Sequence, residues 1–143
     1  MVWQFYAYRR HKALLAKPNP AHLALAEYTR QNPAKIFTIT QNVDGLSPRA
    51  GHPETNLVAM HGDLWSVKCE RYRCDYIEKN LDDPIVPALE VSDKDFPDDE
   101  AVPVIPNGEL PHCPKCKSLL RPAVVFFNEQ LPGSIFQDPS TNT

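Results

Sequence analysis

Four cysteines in two close pairs constrain this chain more than any other feature. Four residues separate Cys69 from Cys74, two separate Cys113 from Cys116, and 38 lie between the pairs. The second pair sits in His112-Cys113-Pro114-Lys115-Cys116, the form of a tight metal knuckle. Four thiolates at about 2.3 Å suit tetrahedral Zn²⁺ in a closed site, with no position left for a catalytic water. The spacing therefore predicts zinc on Cys69, Cys74, Cys113 and Cys116, with His112 beside the site rather than in it. Two disulfides or four buried free thiols are the other readings. Against the disulfides, the four-residue loop of the first pair is not a favoured bridge and no secretory signal is visible at the N-terminus. A metal here supplies folding energy and no chemistry, because a small loop-rich unit lacks the core to fold alone.

Proline is the compositional outlier, 15 of 143 residues against only 5 glycines. Pro84, Pro87, Pro97, Pro103, Pro106 and Pro111 all fall between the cysteine pairs, which predicts an extended, acidic, solvated loop over about residues 80–108. The few glycines form no Gly-x-Gly-x-x-Gly or Gly-x-x-x-x-Gly-Lys phosphate cradle, so a dinucleotide would find only part of its site here. Net charge is −3 with a pI of about 5.9, which provides no basic field for nucleic acid. No apolar run approaches the roughly 20 residues that span a bilayer. Neither nucleic acid nor membrane is an expected partner.

Along the chain, Val2, Phe5, Tyr6, Tyr8, Leu14 and Leu15 sit at helical spacing among Arg9, Arg10 and Lys12, which predicts an amphipathic helix over 2–15. Asn19 is an N-cap with Pro20 at the first helical position, and the second helix stops before Asn32-Pro33. Lys35–Thr40 reads as a strand of a parallel sheet buried on both faces. The polar residues after it, Gln41, Asn42 and Asp44, then lie at a strand's carboxyl end, where such sheets open their ligand crevice. Asn42 and Asp44 also suit ordinary turn chemistry, and His61 before Gly62 suits a turn. Short strands are expected at Leu64–Lys68 and Leu119–Arg121 near the cysteines, and Val124–Phe127 resumes the main sheet. The tail, Gln137–Thr143, carries no pattern.

Taken in order, these motifs resemble the sirtuin family. Thr40-Gln41-Asn42-Val43-Asp44-Gly45, Met60-His61-Gly62, the cysteine pairs and Val125-Phe126-Phe127-Asn128-Glu129 are similar to the family's Gln-Asn-Ile-Asp, His-Gly, zinc ribbon and Val-x-Phe-Gly-Glu, up to about residue 133. The resemblance implies an α/β fold: a partial Rossmann-like parallel sheet, with residues 64–121 as a zinc-binding small subdomain inserted in a sirtuin-type deacylase domain that takes in all of 1–143. It implies NAD-dependent removal of acyl groups from lysines of protein or peptide substrates. In that chemistry the acyl-lysine amide oxygen attacks the nicotinamide ribose, nicotinamide leaves, and water finally frees lysine and O-acyl-ADP-ribose. His61 is then the general base that takes a proton from a ribose hydroxyl, a task suited to an imidazole near neutral pH. Gln41 and Asn42 hydrogen-bond the ribose and nicotinamide end, with Asp44 nearby.

Tyr6 and Arg9 stand three apart on one helix face and are similar to the Tyr-x-x-Arg pair with which class III sirtuins hold succinyl, malonyl and glutaryl carboxylates. The resemblance also implies that Val125, Asn128 and Glu129 belong to a strand that pairs with the substrate peptide, Val125 accepting from the lysine N–H. Asn128 departs from the family's usual glycine; asparagine tolerates positive φ better than most residues. The family's Gly-rich NAD segment and its later strands have no counterpart between Met1 and Thr143, so the chain is expected to be truncated at both ends. A catalytically inactive zinc-binding fragment acting as an interaction module is the alternative to an active enzyme. Class III resemblance points to mitochondria, with cytosol or nucleus as other locations.

Overall fold

A computed structural model describes residues 2–91 and 103–133. The expectations for Pro97 and for the tail 137–143 lie outside the described residues. The chain divides into two compact units, one of residues 1–15 and 64–123 and one of residues 16–63 and 124–143.

The first unit is built on helix α1 (Val2–Leu15) and a three-stranded sheet in which β3 (Gly62–Cys69) runs between β4 (Ile77–Lys79) and β5 (Leu120–Val124). β3 and β4 are antiparallel, with Val67 opposite Glu78. β3 alternates burial along most of its length, and its Val67 and Cys69 enter a core with Trp3, Leu89, Cys113 and Leu120. Two of those six residues are cysteines of the candidate metal site, so a third of this core doubles as the metal site. α1 buries Trp3, Ala7, Arg10 and Ala13, a face offset from the large aromatics that dominate its sequence; Phe5 stays exposed. Trp3 donates its indole N–H to the Leu120 carbonyl at 2.8 Å.

The proline-rich stretch departs from its expectation where it is described. Ile85, Val86, Leu89, Val91, Ile105 and Leu110 lie on or against the core cluster, and short helical turns form at Pro87–Leu89 and Asn107–Glu109. Proline forbids a regular ladder but leaves the intervening apolar side chains free to bury, which is what a unit with so little core requires.

The second unit holds α2 (Pro20–Gln31), β1 (Thr38–Thr40), the short helix α3 (Leu46–Arg49) and β2 (Leu57–Ala59). Asn19 caps α2 by accepting from the His22 N–H at 3.1 Å, with Pro20 next in the first turn, as the sequence indicates. β1 is shorter than the six residues expected, and it pairs in parallel with β2, Thr38 against Leu57 through Thr40 against Ala59. The unit's interior is markedly polar. His52 turns one ring nitrogen to the Pro53 carbonyl at 3.1 Å and the other to the hydroxyls of Thr38 at 3.0 Å and Thr29 at 3.3 Å. Asn56 donates to the Pro33 and Ile36 carbonyls, both at 2.7 Å. No helix among the described residues is long and apolar enough to cross a membrane.

Candidate functional site

Register in the parallel pair assembles the polar site. Since Thr40 stands opposite Ala59, the residues that follow each strand, Gln41-Asn42 and Met60-His61, emerge side by side at the carboxyl ends. The Met60 N–H donates to the Thr40 carbonyl at 3.0 Å, extending the ladder one step. His61 Nδ1 lies 3.1 Å from the Gln41 carbonyl oxygen. A carbonyl only accepts, so Nδ1 carries the hydrogen and, in the neutral ring, Nε2 keeps its lone pair. The ring is thereby held in the tautomer that takes a proton through Nε2.

Beyond β1 the loop is braced by its own side chains. The Thr40 hydroxyl accepts from the Asn42 N–H at 3.1 Å, and the Asp44 carboxylate accepts from the Leu46 N–H at 2.9 Å at the entry to α3. Between them Gly45 adopts φ of +69°, a left-handed turn that a side chain would strain. Asp44 therefore performs turn chemistry, and Thr40, not singled out from sequence, is the residue that sets the Asn42 backbone. A threonine two positions before an asparagine at a strand end is the sequence signal for it.

The expected strand over Val125–Glu129 does not form in the chain: β5 ends at Val124, and Phe127-Asn128 make a turn. The Val125 N–H donates to the His61 carbonyl at 2.9 Å, the Phe126 N–H to the Glu129 carboxylate at 2.9 Å, and the Glu129 N–H to the Phe126 carbonyl at 3.0 Å. Asn128 has φ of +69°, a left-handed conformation that asparagine tolerates better than most residues. The tight Glu129–Phe126 closure bends the segment where a continued strand would run straight. Phe127 is left fully exposed.

In the other unit, Tyr6 and Arg9 lie on α1. Phe5 meets Tyr6 edge to face at 5.2 Å, and the Arg9 guanidinium sits 5.6 Å from the Phe5 ring centre. Arg9 is exposed and Tyr6 partly buried.

The four cysteines converge. All four sulfurs lie within 4.8 Å of one another, with Cys69 to Cys116 at 3.4 Å and Cys74 to Cys113 at 3.8 Å. A tetrahedral ion with sulfur at about 2.3 Å requires sulfurs about 3.8 Å apart. The set fits zinc, and His112 is outside it, its Nδ1 facing the Leu110 carbonyl at 2.7 Å. Burial pushes the Cys69 thiol up to about 12, against a lowering contact from the Arg71 N–H. At Cys74 the Tyr76 backbone pulls down, but burial and the neighbouring Cys116 outweigh it and the net direction is up. The Ser118 backbone N–H and hydroxyl bring Cys116 down to about 6. One thiolate is thus ready at neutral pH to receive a cation.

Comparison with known proteins places the chain. The model of the Sir2 family matches residues 1–142, and the chain belongs to that family. A protein from Candida albicans named NAD-dependent protein deacylase is 39% identical, covering 96% of this chain and 54% of its own length. The mitochondrial NAD-dependent protein deacylase sirtuin-5 of Canis lupus familiaris is 42% identical, with 96% and 44% covered. An NAD-dependent protein deacylase of Pyrococcus furiosus is 44% identical, with 92% and 44% covered. Among solved structures, a Sir2 homologue–NAD complex superposes with a TM-score of 0.69 at 36% identity, over 94% of this chain and 42% of that one. A Sir2 protein bound to acetylated peptide gives 0.61 at 32% identity, over 87% and 43%. The chain spans about half the length of the curated relatives it matches. The mixed α/β architecture with a parallel pair is shared with solved Sir2 structures, and in this chain the four cysteines that follow it in sequence cluster together.

Proposed function

We propose that this chain carries the catalytic and zinc-binding part of an NAD-dependent protein lysine deacylase that prefers acyl groups ending in a carboxylate. The observation that carries the reading is the His61 ring, fixed through Nδ1 by the Gln41 carbonyl so that Nε2 is the basic nitrogen. His61 is the general base, taking a proton from a ribose hydroxyl. Gln41 and Asn42, at the ends of the same parallel pair, bind the ribose and nicotinamide end, and Asp44 holds their loop in shape through its bond to Leu46. NAD, when bound, supplies an electrophilic ribose carbon whose leaving group is nicotinamide.

The substrate is an acyl-lysine in a protein or peptide. Val125, Asn128 and Glu129 form its backbone platform, with Val125 already tied to His61 through its N–H. Tyr6 and Arg9 receive the acyl carboxylate, for which an arginine fork is suited. Residues 64–121 serve as the zinc-binding small subdomain, with Cys69, Cys74, Cys113 and Cys116 as ligands and zinc as folding energy. Support for deacylase activity comes from the names of the relatives, and support for a mitochondrial location from four of them, in dog, Xenopus tropicalis and Xenopus laevis.

The test is a steady-state comparison of succinyl-lysine and acetyl-lysine versions of one peptide, with NAD, on the 143-residue chain and on His61→Ala. The reading expects a higher kcat/KM for the succinyl peptide and loss of both reactions in the variant. Equal activity of His61→Ala would refute it. No turnover from a folded, zinc-loaded wild-type chain would favour the inactive-fragment alternative.

A further inference from the structure

Among its buried residues helix α1 has a single large apolar side chain, Trp3. Its buried face is Trp3, Ala7, Arg10 and Ala13, and two alanines offer a smooth surface with no ridge to lock against. Of its polar anchors among the described residues, Gln4 to the Pro103 carbonyl at 2.6 Å and His11 to the Asp83 carboxylate at 2.8 Å lie at the exposed surface, and two are buried. One is the Trp3 indole on the Leu120 carbonyl near the start of the helix. The other is Arg10, only 1% exposed, whose guanidinium reaches the Leu64 carbonyl at 2.5 Å, the Asn80 carbonyl at 2.9 Å and side-chain oxygen at 3.1 Å, and the Asp82 carbonyl at 3.0 Å. Its guanidinium carbon also lies 5.7 Å from the Trp65 ring centre. The loop it grips is itself ordered: the Asn80 N–H donates to the Trp65 carbonyl at 2.6 Å, and the Asp82 N–H to the Asn80 side chain at 3.0 Å.

We infer that Arg10 is a positioning residue for acyl selectivity: clamped to residues 64, 80 and 82, it sets the rotation of α1 and thereby where Tyr6 and Arg9 point. The inference rests on the proposed role of those two residues. Arg9 immediately precedes the clamp and Tyr6 is one turn before it, so neither can move independently of Arg10. Side-chain ends stand about 6 Å from a helix axis, so a roll of about 20° carries them about 2 Å. A misplacement of about 1 Å at a positioned group can cost about 100-fold. Lysine cannot reproduce the clamp, because it has a compact ammonium where arginine has a planar fork reaching several carbonyls at once.

The experiment uses the 143-residue chain with zinc bound, its arginine side chains isotope-labelled for NMR. It is titrated with the succinyl-lysine and acetyl-lysine forms of one peptide, as wild type, Arg10→Lys, Asn80→Ala and Arg9→Met. The proposal expects the Arg9 guanidinium signal to respond to the succinyl peptide. Arg10→Lys should weaken succinyl binding at least tenfold while changing acetyl binding less than threefold, and Asn80→Ala should produce a smaller loss of the same kind. Zinc content at one per chain shows that the variants remain folded, and Asn80→Ala carries the test if Arg10→Lys does not. Succinyl binding unchanged in both clamp variants, or lost equally for both peptides, overturns the proposal while leaving the role of Arg9 standing. Succinyl binding unchanged in Arg9→Met instead overturns the acyl-carboxylate reading, and the proposal with it.

Discussion

Zinc affinity should fall steeply as pH falls, and the thiols determine how steeply. A zinc ligand must be deprotonated, so each thiol that is protonated in the metal-free protein gives up one proton on binding, and each such proton makes affinity change about tenfold per pH unit. Burial raises Cys69 to about 12, and Cys74 is also raised, so both are protonated at neutral pH. Cys116, lowered to about 6 by Ser118, is already mostly thiolate at pH 7. At least two protons therefore leave on zinc binding between pH 8 and 7, and affinity should drop at least about 100-fold over that unit. Below pH 6 Cys116 also holds its proton, making at least three and a slope of at least about 1,000-fold per unit. The sign follows from the raised thiols: protons compete with metal, so binding strengthens as pH rises. Competition against a chromophoric chelator at pH 8, 7, 6 and 5 measures the slope. Tryptophan emission should report the accompanying loss of structure, because the Trp3 ring shares a core with Cys69 and Cys113. An affinity that changes tenfold or less per unit between pH 8 and 7, or tryptophan emission indifferent to metal removal, would refute the reasoning.

Three further outcomes are expected. His61→Ala should lower kcat by about 10²- to 10⁴-fold, the usual worth of a positioned general base, with zinc content unchanged; a loss under tenfold would remove His61 from that role. Asn128→Val should destabilise by about 1–2 kcal/mol in thermal or denaturant unfolding, since a β-branched residue is strained at φ of +69°, whereas Asn128→Gly should be close to neutral. Asn19→Ala should cost about 1 kcal/mol by removing the cap on the His22 N–H, read by the same unfolding experiment.

Local signals were legible where chemistry and geometry coincide. Asn19-Pro20 marked a helix start because cap and ring each act on the adjacent turn, and the cysteine spacing marked a metal site because knuckle geometry is local. β2 is not legible in the sequence, since Leu57-Val58-Ala59 is too short to show a period and is a strand only by virtue of its pairing with Thr38–Thr40. That pairing juxtaposes Gln41 and His61, so the site's register could not be read from either segment alone. On α1 the bulky Phe5, Tyr6 and Tyr8 mask the 3–7–10–13 face, where a buried arginine stands at a position that apolar periodicity assigns to a hydrophobe. Val125-Phe126-Phe127 has strand composition, but Glu129 closes a turn on Phe126, a contact that outweighs propensity.

The most direct test of the central claim is mass spectrometry of the reaction of the 143-residue chain with NAD and a succinyl-lysine peptide. The account predicts that free lysine, nicotinamide and an ADP-ribose bearing the succinyl group appear in equal amounts, all absent without NAD. Release of free succinate with no acyl-ADP-ribose, or no product at all from a zinc-loaded chain, would contradict it.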